Sequence, residues 1–140
     1  MRRSLIRSFG ALNAIVYRLS GGRLMGRFPS GAPVFLLTTR GRKTGRQRTI
    51  PLLYLADGDD LIIVGSQGGA PTHPAWYLNL KADPHAEAEI GTSRFAVRAQ
   101  AVSEAERSAL WPRLVALYPP YAAYQRRTSR QIPILRLIPR

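Results

Sequence analysis

The sequence predicts an α+β domain, antiparallel strands flanked by helices, and three observations predict it. Residues 34–55 place two apolar runs, VFLL and PLLYL, on either side of the turn-rich loop RGRKTGRQR, the pattern of a hairpin. Residues 86–101 form a second hairpin through Gly91-Thr92, with Phe95, Val97 and Ala99 alternating against Arg94, Arg98 and Gln100. Helix signals lie around them: AWYLNLKA directly after Pro74, a stretch opened by Ser103-Glu104-Ala105-Glu106, and an amphipathic N-terminal segment.

A chain of 140 residues is one domain, large enough to bury a core without a staple. It has no cysteine, which excludes disulfides, thiolate metal sites and a thiol nucleophile, and makes a reducing cytoplasm the natural compartment. The net charge of +13 attracts phosphates, polycarboxylates, nucleic acid and anionic membranes alike. Its distribution says more: residues 1–56 carry eleven of the 21 Arg and Lys and none of the 8 acids.

Taken in order, Leu5, Phe9, Leu12, Val16 and Leu19 fall on one face of a helix, with Arg3, Arg7 and Arg18 on the other. Such a helix either docks on the core with its basic face solvated or lies in an anionic membrane interface. Arg2-Arg3 does not open a signal peptide, because Asn13 and Arg18 interrupt the apolar stretch and no small-x-small site follows. No apolar run approaches the ~20 residues that cross a bilayer. The expected location is therefore cytoplasmic, with peripheral contact at the inner membrane face as the further option. Gly21-Gly22 ends the helix, so residues 1–32 read as helix plus connector and 33–140 as the folded domain.

After the first hairpin, Asp57-Gly58-Asp59-Asp60 signals a tight turn and LIIVGS (61–66) a third strand. Residues 67–74 hold two glycines and two prolines and must be a loop. The helix at 75–82 stops at Asp83-Pro84, strands follow at 86–90 and 94–101, and a helix from Ser103 to about Tyr118 stops at Pro119-Pro120. Another helical turn or two covers 121–127. A last strand spans 132–138, where Pro133 points to an edge or to the strand's first residues.

Reactive side chains are few. His73 and His85 have no partners at ligand spacing and read as solvated loop residues; Glu104 and Glu106 read as helix N-terminal acids; no metal site is expected. The tip Gly41-Arg42-Lys43-Thr44-Gly45 is not a phosphate loop, lacking the earlier glycine and the following helix. Its composition still suits an anion, since Gly41 and Gly45 let N–H groups turn inward and Arg42, Lys43, Arg46 and Arg48 add charged donors. A plain solvated basic turn is the competing reading. Tyr118, Tyr121 and Tyr124 recur every three residues, as core or as a pocket wall, with Trp111, Trp76, Tyr77 and Tyr54 as further stacking candidates.

Four segments together resemble the deazaflavin (F420)-dependent nitroreductase family: TTRGRKTGRQRTIPLLYL from Thr38, GSQGGA from Gly65, HPAWYLNL from His73 and WPRLVALYPPYAAYQ from Trp111, followed by Ile132-Pro133. The resemblance spans nearly everything after Val34. It implies a split β-barrel of the flavin-reductase or FMN-binding type, coenzyme F420 as cofactor, and hydride transfer from the reduced deazaflavin to a quinone or nitro-type acceptor.

By the same resemblance, Arg42, Lys43, Thr44, Gly45, Arg46 and Gln47 bind the coenzyme's phosphate end. Leu36, Leu37 and Thr38, with Leu52, Leu53, Tyr54 and Leu55, line its ring system; Ile63, Val64, Gly65, Ser66 and Gln67 lie along its other side, with Trp76 nearby. Ser66 and Tyr121 match positions at the ring and substrate pocket and take orienting or proton-donating roles; Tyr118 and Tyr124 shape the acceptor site. Leu53 and Gln67 stand where the nitroimidazole-activating pattern has a tyrosine and a lysine, which favours a quinone as acceptor. Two competing functions are a protein that binds F420 or flavin without turnover, and a nucleic-acid binder. The latter lacks any helix-turn-helix, zinc-finger or RNP-type signature, so no nucleic-acid partner is expected.

Overall fold

The computed structural model describes residues 17–18 and 31–140. Seven strands, β1 (Val34–Arg40), β2 (Gln47–Leu53), β3 (Leu55–Asp57), β4 (Asp60–Val64), β5 (His85–Ile90), β6 (Ser93–Ala101) and β7 (Ile134–Pro139), form one sheet in the order β2-β1-β5-β6-β7-β4-β3. Every pairing is antiparallel. A single residue, Tyr54, separates β2 at one edge from β3 at the other, so the sheet has to roll until its edges meet. The result is a barrel that stays split along β2, which pairs only with β1. Pro51 sits on that unpaired edge, where its missing N–H breaks no ladder.

Alternation along the strands sorts the core into two faces. Phe35, Leu37, Leu61, Ile63, Val97, Leu135 and Leu137 point into the barrel, joined by Trp76 and Leu80 of α1 (Ala75–Ala82), which plugs it. The outward set, Val34, Leu53, Ile62, Val64 and Ile134, packs under α2 (Glu104–Leu117) and α3 (Pro120–Arg127) through Leu110, Leu114 and Tyr121. Each fully buried Leu or Ile stabilises the fold by roughly 1.5–3 kcal/mol. A capping box starts α2: Ser103 Oγ accepts from the Glu106 N–H at 3.1 Å and Glu106 accepts from the Ser103 N–H at 3.2 Å.

The structure corrects the sequence reading at several points. The first hairpin's strands run on through Arg40 and Gln47, so the tip is shorter than the loop read from composition, and the run PLLYL breaks at Tyr54 where the barrel closes. The last strand starts at Ile134 and is central, between β6 and β4. Pro133 lies just outside it, its carbonyl accepting from the Gly65 N–H at 2.9 Å. The expected N-terminal helix lies outside the described residues except for Tyr17 and Arg18, which are helical. Arg18 is exposed, as expected of the basic face, but it is also committed to a partner. Its guanidinium grips Glu89 of β5 at 3.0 and 2.8 Å, because a carboxylate only 8% exposed requires a cation. Tyr17 is buried against Leu36, and its hydroxyl accepts from the Gly91 N–H at 2.7 Å. Among the described residues no helix is long and apolar enough to cross a membrane.

Candidate active site

The hairpin tip, residues 41–46, is drawn tight by two backbone bonds, Gly41 N–H to Arg46 O and Gly45 N–H to Gly41 O, both 2.8 Å. Gly45 has φ +72°, a left-handed conformation that a side chain would strain. The tip is also tied to the barrel plug. Buried Asn79 of α1 accepts from the Arg42 N–H at 3.1 Å and donates to Thr39 Oγ1 at 3.1 Å. The inward nest expected from the glycines is thus only partly available, since the N–H groups of Gly41, Arg42, Gly45 and Arg46 already have protein acceptors; those of Lys43 and Thr44 have none among the described residues.

The hairpin tip and the strand ends beside it concentrate cations that no carboxylate among the described residues holds. Arg18, Arg94, Arg113 and Arg136 all hold carboxylates, whereas Arg40, Arg42, Lys43, Arg46 and Arg48 form no ion pair among the described residues. At the base of the tip an open groove of about 390 Å³ runs between Thr38, Thr39, Arg40, Gly45 and Gln47 of the hairpin and His85, Ala86 and Glu87 of β5.

At the hairpin's other end stand the tyrosines. Tyr118, at the end of α2, and Tyr121 and Tyr124 on α3 meet edge to face or tilted, with ring centroids 5.0–6.4 Å apart. The Tyr118 and Tyr124 hydroxyls share a hydrogen bond of 3.2 Å, which together with burial raises the Tyr118 pKa. Tyr121 is 5% exposed, and burial pushes its phenol well above the usual value, so it stays protonated. Its hydroxyl makes no hydrogen bond among the described residues, yet no buried side-chain polar atom there lacks a partner, so the hydroxyl oxygen is not wholly sealed from solvent.

The barrel's alternation divides the remaining site residues. Leu53, Leu55 and Val64 join the tyrosines on the outer face. Leu37, Leu52, Tyr54, Ile63 and Trp76 belong to the barrel interior, where Tyr54 meets Phe35 edge to face at 5.4 Å. Leu36 points outward but is covered by Tyr17, while Thr38 shares a 2.7 Å hydrogen bond with Thr49. Gly65, Ser66 and Gln67 lead from β4 into a 3-10 turn, Gln67–Gly69, packed against α3. His73 is not simply solvated: its ring lies 4.7 Å from Tyr77 and its Nδ1 faces Arg130 at 3.1 Å. Asn79, Arg130 and the Arg18–Glu89 pair are absent from the sequence reading. Among them only Asn79 carries a local signal, a polar residue three positions after Trp76 on a helix whose apolar face is buried.

A family model described as F420H(2)-dependent quinone reductase matches residues 11–139. The chain belongs to that family. An F420H(2)-dependent quinone reductase of Mycobacterium tuberculosis is 42% identical over 127 residues, covering 89% of this chain and 85% of that protein. Among solved structures, an F420-H2 dependent reductase is 38% identical with a TM-score of 0.69, over 75% of this chain and 93% of that one. A domain-swapped dimer is 30% identical with a TM-score of 0.72, over 98% and 99%. The protein is thus a split-barrel, F420H(2)-dependent reductase whose cofactor is coenzyme F420. Its residues fit that cofactor: a phosphodiester and a glutamate tail need several cations without carboxylate partners in one place, and the tip with the strand ends beside it supplies five.

Proposed function

We propose that this reductase acts on quinones, with the two ends of one hairpin dividing the work. One observation carries the reading: five cations without ion pairs among the described residues cluster at the Arg40–Gln47 end, and Tyr121 shares an apolar cluster with Val34 and Leu53 at the other, a strand length of ~20 Å away at about 3.3 Å per residue. That span suits an extended ligand with a ring at one end and anions at the other.

In this reading Arg42, Lys43 and Arg46 neutralise the phosphate while Thr44, Gly45 and Gln47 shape the turn around it. When bound, the reduced coenzyme supplies the hydride. Tyr121 donates its hydroxyl to the acceptor's carbonyl oxygen, stabilising the negative charge that hydride arrival places there. Ser66 provides a second polar contact from the β4 side, and Tyr118 and Tyr124 form the apolar wall. A proton from solvent completes the hydroquinone, so Tyr121 remains a phenol throughout. Of the residues expected at the ring, Leu53, Leu55 and Val64 are supported by facing this side; Leu37, Leu52, Tyr54, Ile63 and Trp76 support the ring only from behind.

Fluorescence titration with F420, flavin mononucleotide and a random DNA duplex tests the reading. Tight binding of F420 alone supports it; tight flavin binding without F420 binding overturns it. Peripheral membrane contact rests on the N-terminal sequence pattern alone. Co-sedimentation with anionic vesicles, comparing the full chain with one lacking residues 1–16, checks it, and equal binding by both removes it.

A further inference from the structure

The loop after β4 has a backbone that does not hold its own shape. Gln67, Gly68 and Gly69 have φ of 44°, 63° and 79°, three left-handed residues in succession, the first of them not a glycine. Within the loop only two short bonds form, Gly69 N–H to Ser66 O at 2.9 Å and Ala70 N–H to Gln67 O at 3.1 Å.

Most of the restraint comes from Arg130, beyond the end of α3, with Arg127 adding one longer contact to Gly68 O at 3.4 Å. The Arg130 guanidinium donates to Ser66 O at 2.7 Å, Ala70 O at 2.8 Å and Gly65 O at 3.1 Å, and to His73 Nδ1 at 3.1 Å. A guanidinium has donors only, so His73 is neutral there and carries its proton on Nε2. No carboxylate pairs with Arg130 among the described residues; these four acceptors all lie on the loop. The arginine is anchored in turn, its backbone carbonyl accepting from Gln125 Nε2 of α3 at 2.9 Å. The same helix carries Tyr121 and touches the loop at Gly69.

We infer that Arg130 is a positioning residue for the reduction: it fixes the Ser66–Gln67 side of the site relative to the Tyr121 hydroxyl. This rests on the proposed reading that Ser66 borders the reacting ring. Lysine cannot replace it, because one ammonium does not reach four acceptors spread over nine residues of loop, whereas a planar fork does.

The test uses full-length Arg130→Lys and Arg130→Gly proteins, F420 fluorescence for coenzyme affinity, and steady-state reduction of menadione. Expected for Arg130→Lys is coenzyme affinity within about twofold of wild type, since the tip is untouched, with kcat lowered about tenfold or more by a misplaced loop. Methylguanidinium added to Arg130→Gly restores part of the lost kcat. Wild-type kcat and KM in Arg130→Lys overturn the inference. Should the Arg130 variants not fold, His73→Phe keeps a ring on Tyr77 and deletes one acceptor; a kcat lowered by about two- to fivefold at unchanged coenzyme affinity supports the role, and wild-type kcat overturns it. Ser66→Ala run in parallel separates the two levels. If Ser66→Ala is impaired and Arg130→Lys is silent, only the Arg130 role falls. If both are silent, the placement of this loop at the ring falls with it.

Discussion

Replacing Gly69 with alanine separates two costs that glycine avoids at this position. The first is conformational: at φ +79° a Cβ is strained by about 1 kcal/mol. The second is steric. An alanine Cβ would stand 2.7 Å from Tyr124 O and 3.0 Å from Tyr124 Cα, so α3 would have to retreat by about 0.7 Å to reach the ordinary 3.4 Å separation. Overpacking against backbone costs about 1–3 kcal/mol, for a total near 3 kcal/mol. Gly68→Ala is the internal control, with φ +63° and nothing within 4 Å of the added carbon. Thermal unfolding followed by circular dichroism should show Gly69→Ala melting about 10 °C low and Gly68→Ala about 3–5 °C low. Equal shifts in the two variants would refute the close approach of α3 to the loop.

Three further outcomes rest on single interactions. Asn79→Ala should destabilise the protein by about 2–3 kcal/mol in denaturant titration and weaken coenzyme binding, because Arg42 N–H and Thr39 are left without their buried partner and the tip without its tie to α1. Arg18→Ala should cost about 1–2 kcal/mol in the same assay, less than stripping an isolated buried charge, since Arg94 still approaches Glu89 at 3.5 Å. His73 faces Arg130, Lys81 and the Tyr77 ring, and burial followed by those two cations lowers its pKa. The unfolded chain therefore takes up the proton first, so stability should fall as pH drops below about 6.5, and His73→Phe should flatten that part of the pH profile.

Much of the fold was legible because local signals agreed with the tertiary outcome. Pro74 and Asp83-Pro84 bracket α1, Ser103 caps α2 with Glu104 and Glu106 in its first turn, and Phe95, Val97 and Ala99 all pack inward on β6. Barrel closure at Tyr54 was not legible, because a one-residue interruption between strands on opposite sheet edges leaves no periodic trace. Pro133 misled for a related reason: a proline just before a central strand and one on an edge strand look alike in sequence. At the site, the cationic tip and the tyrosines stood out as clusters. Which of the flanking strand residues share a face required the closed barrel, which sends Leu37, Leu52 and Ile63 inward and leaves Leu53 and Val64 beside Tyr121. Arg130 was hidden for a different reason. Its acceptors are mostly backbone carbonyls, which any sequence provides, so nothing about residues 65–70 advertises the arginine that holds them.

The central claim is that the tip and the tyrosine end of one hairpin hold opposite ends of the same coenzyme. Its most direct test compares wild type and Lys43→Ala, titrated with F420 and with the same deazaflavin and sugar chain lacking phosphate and glutamates. The account predicts that Lys43→Ala weakens F420 binding by about tenfold, the worth of one charge-assisted hydrogen bond, while leaving the truncated ligand's affinity and the melting temperature unchanged. Equal weakening of both ligands, or of neither, would contradict it.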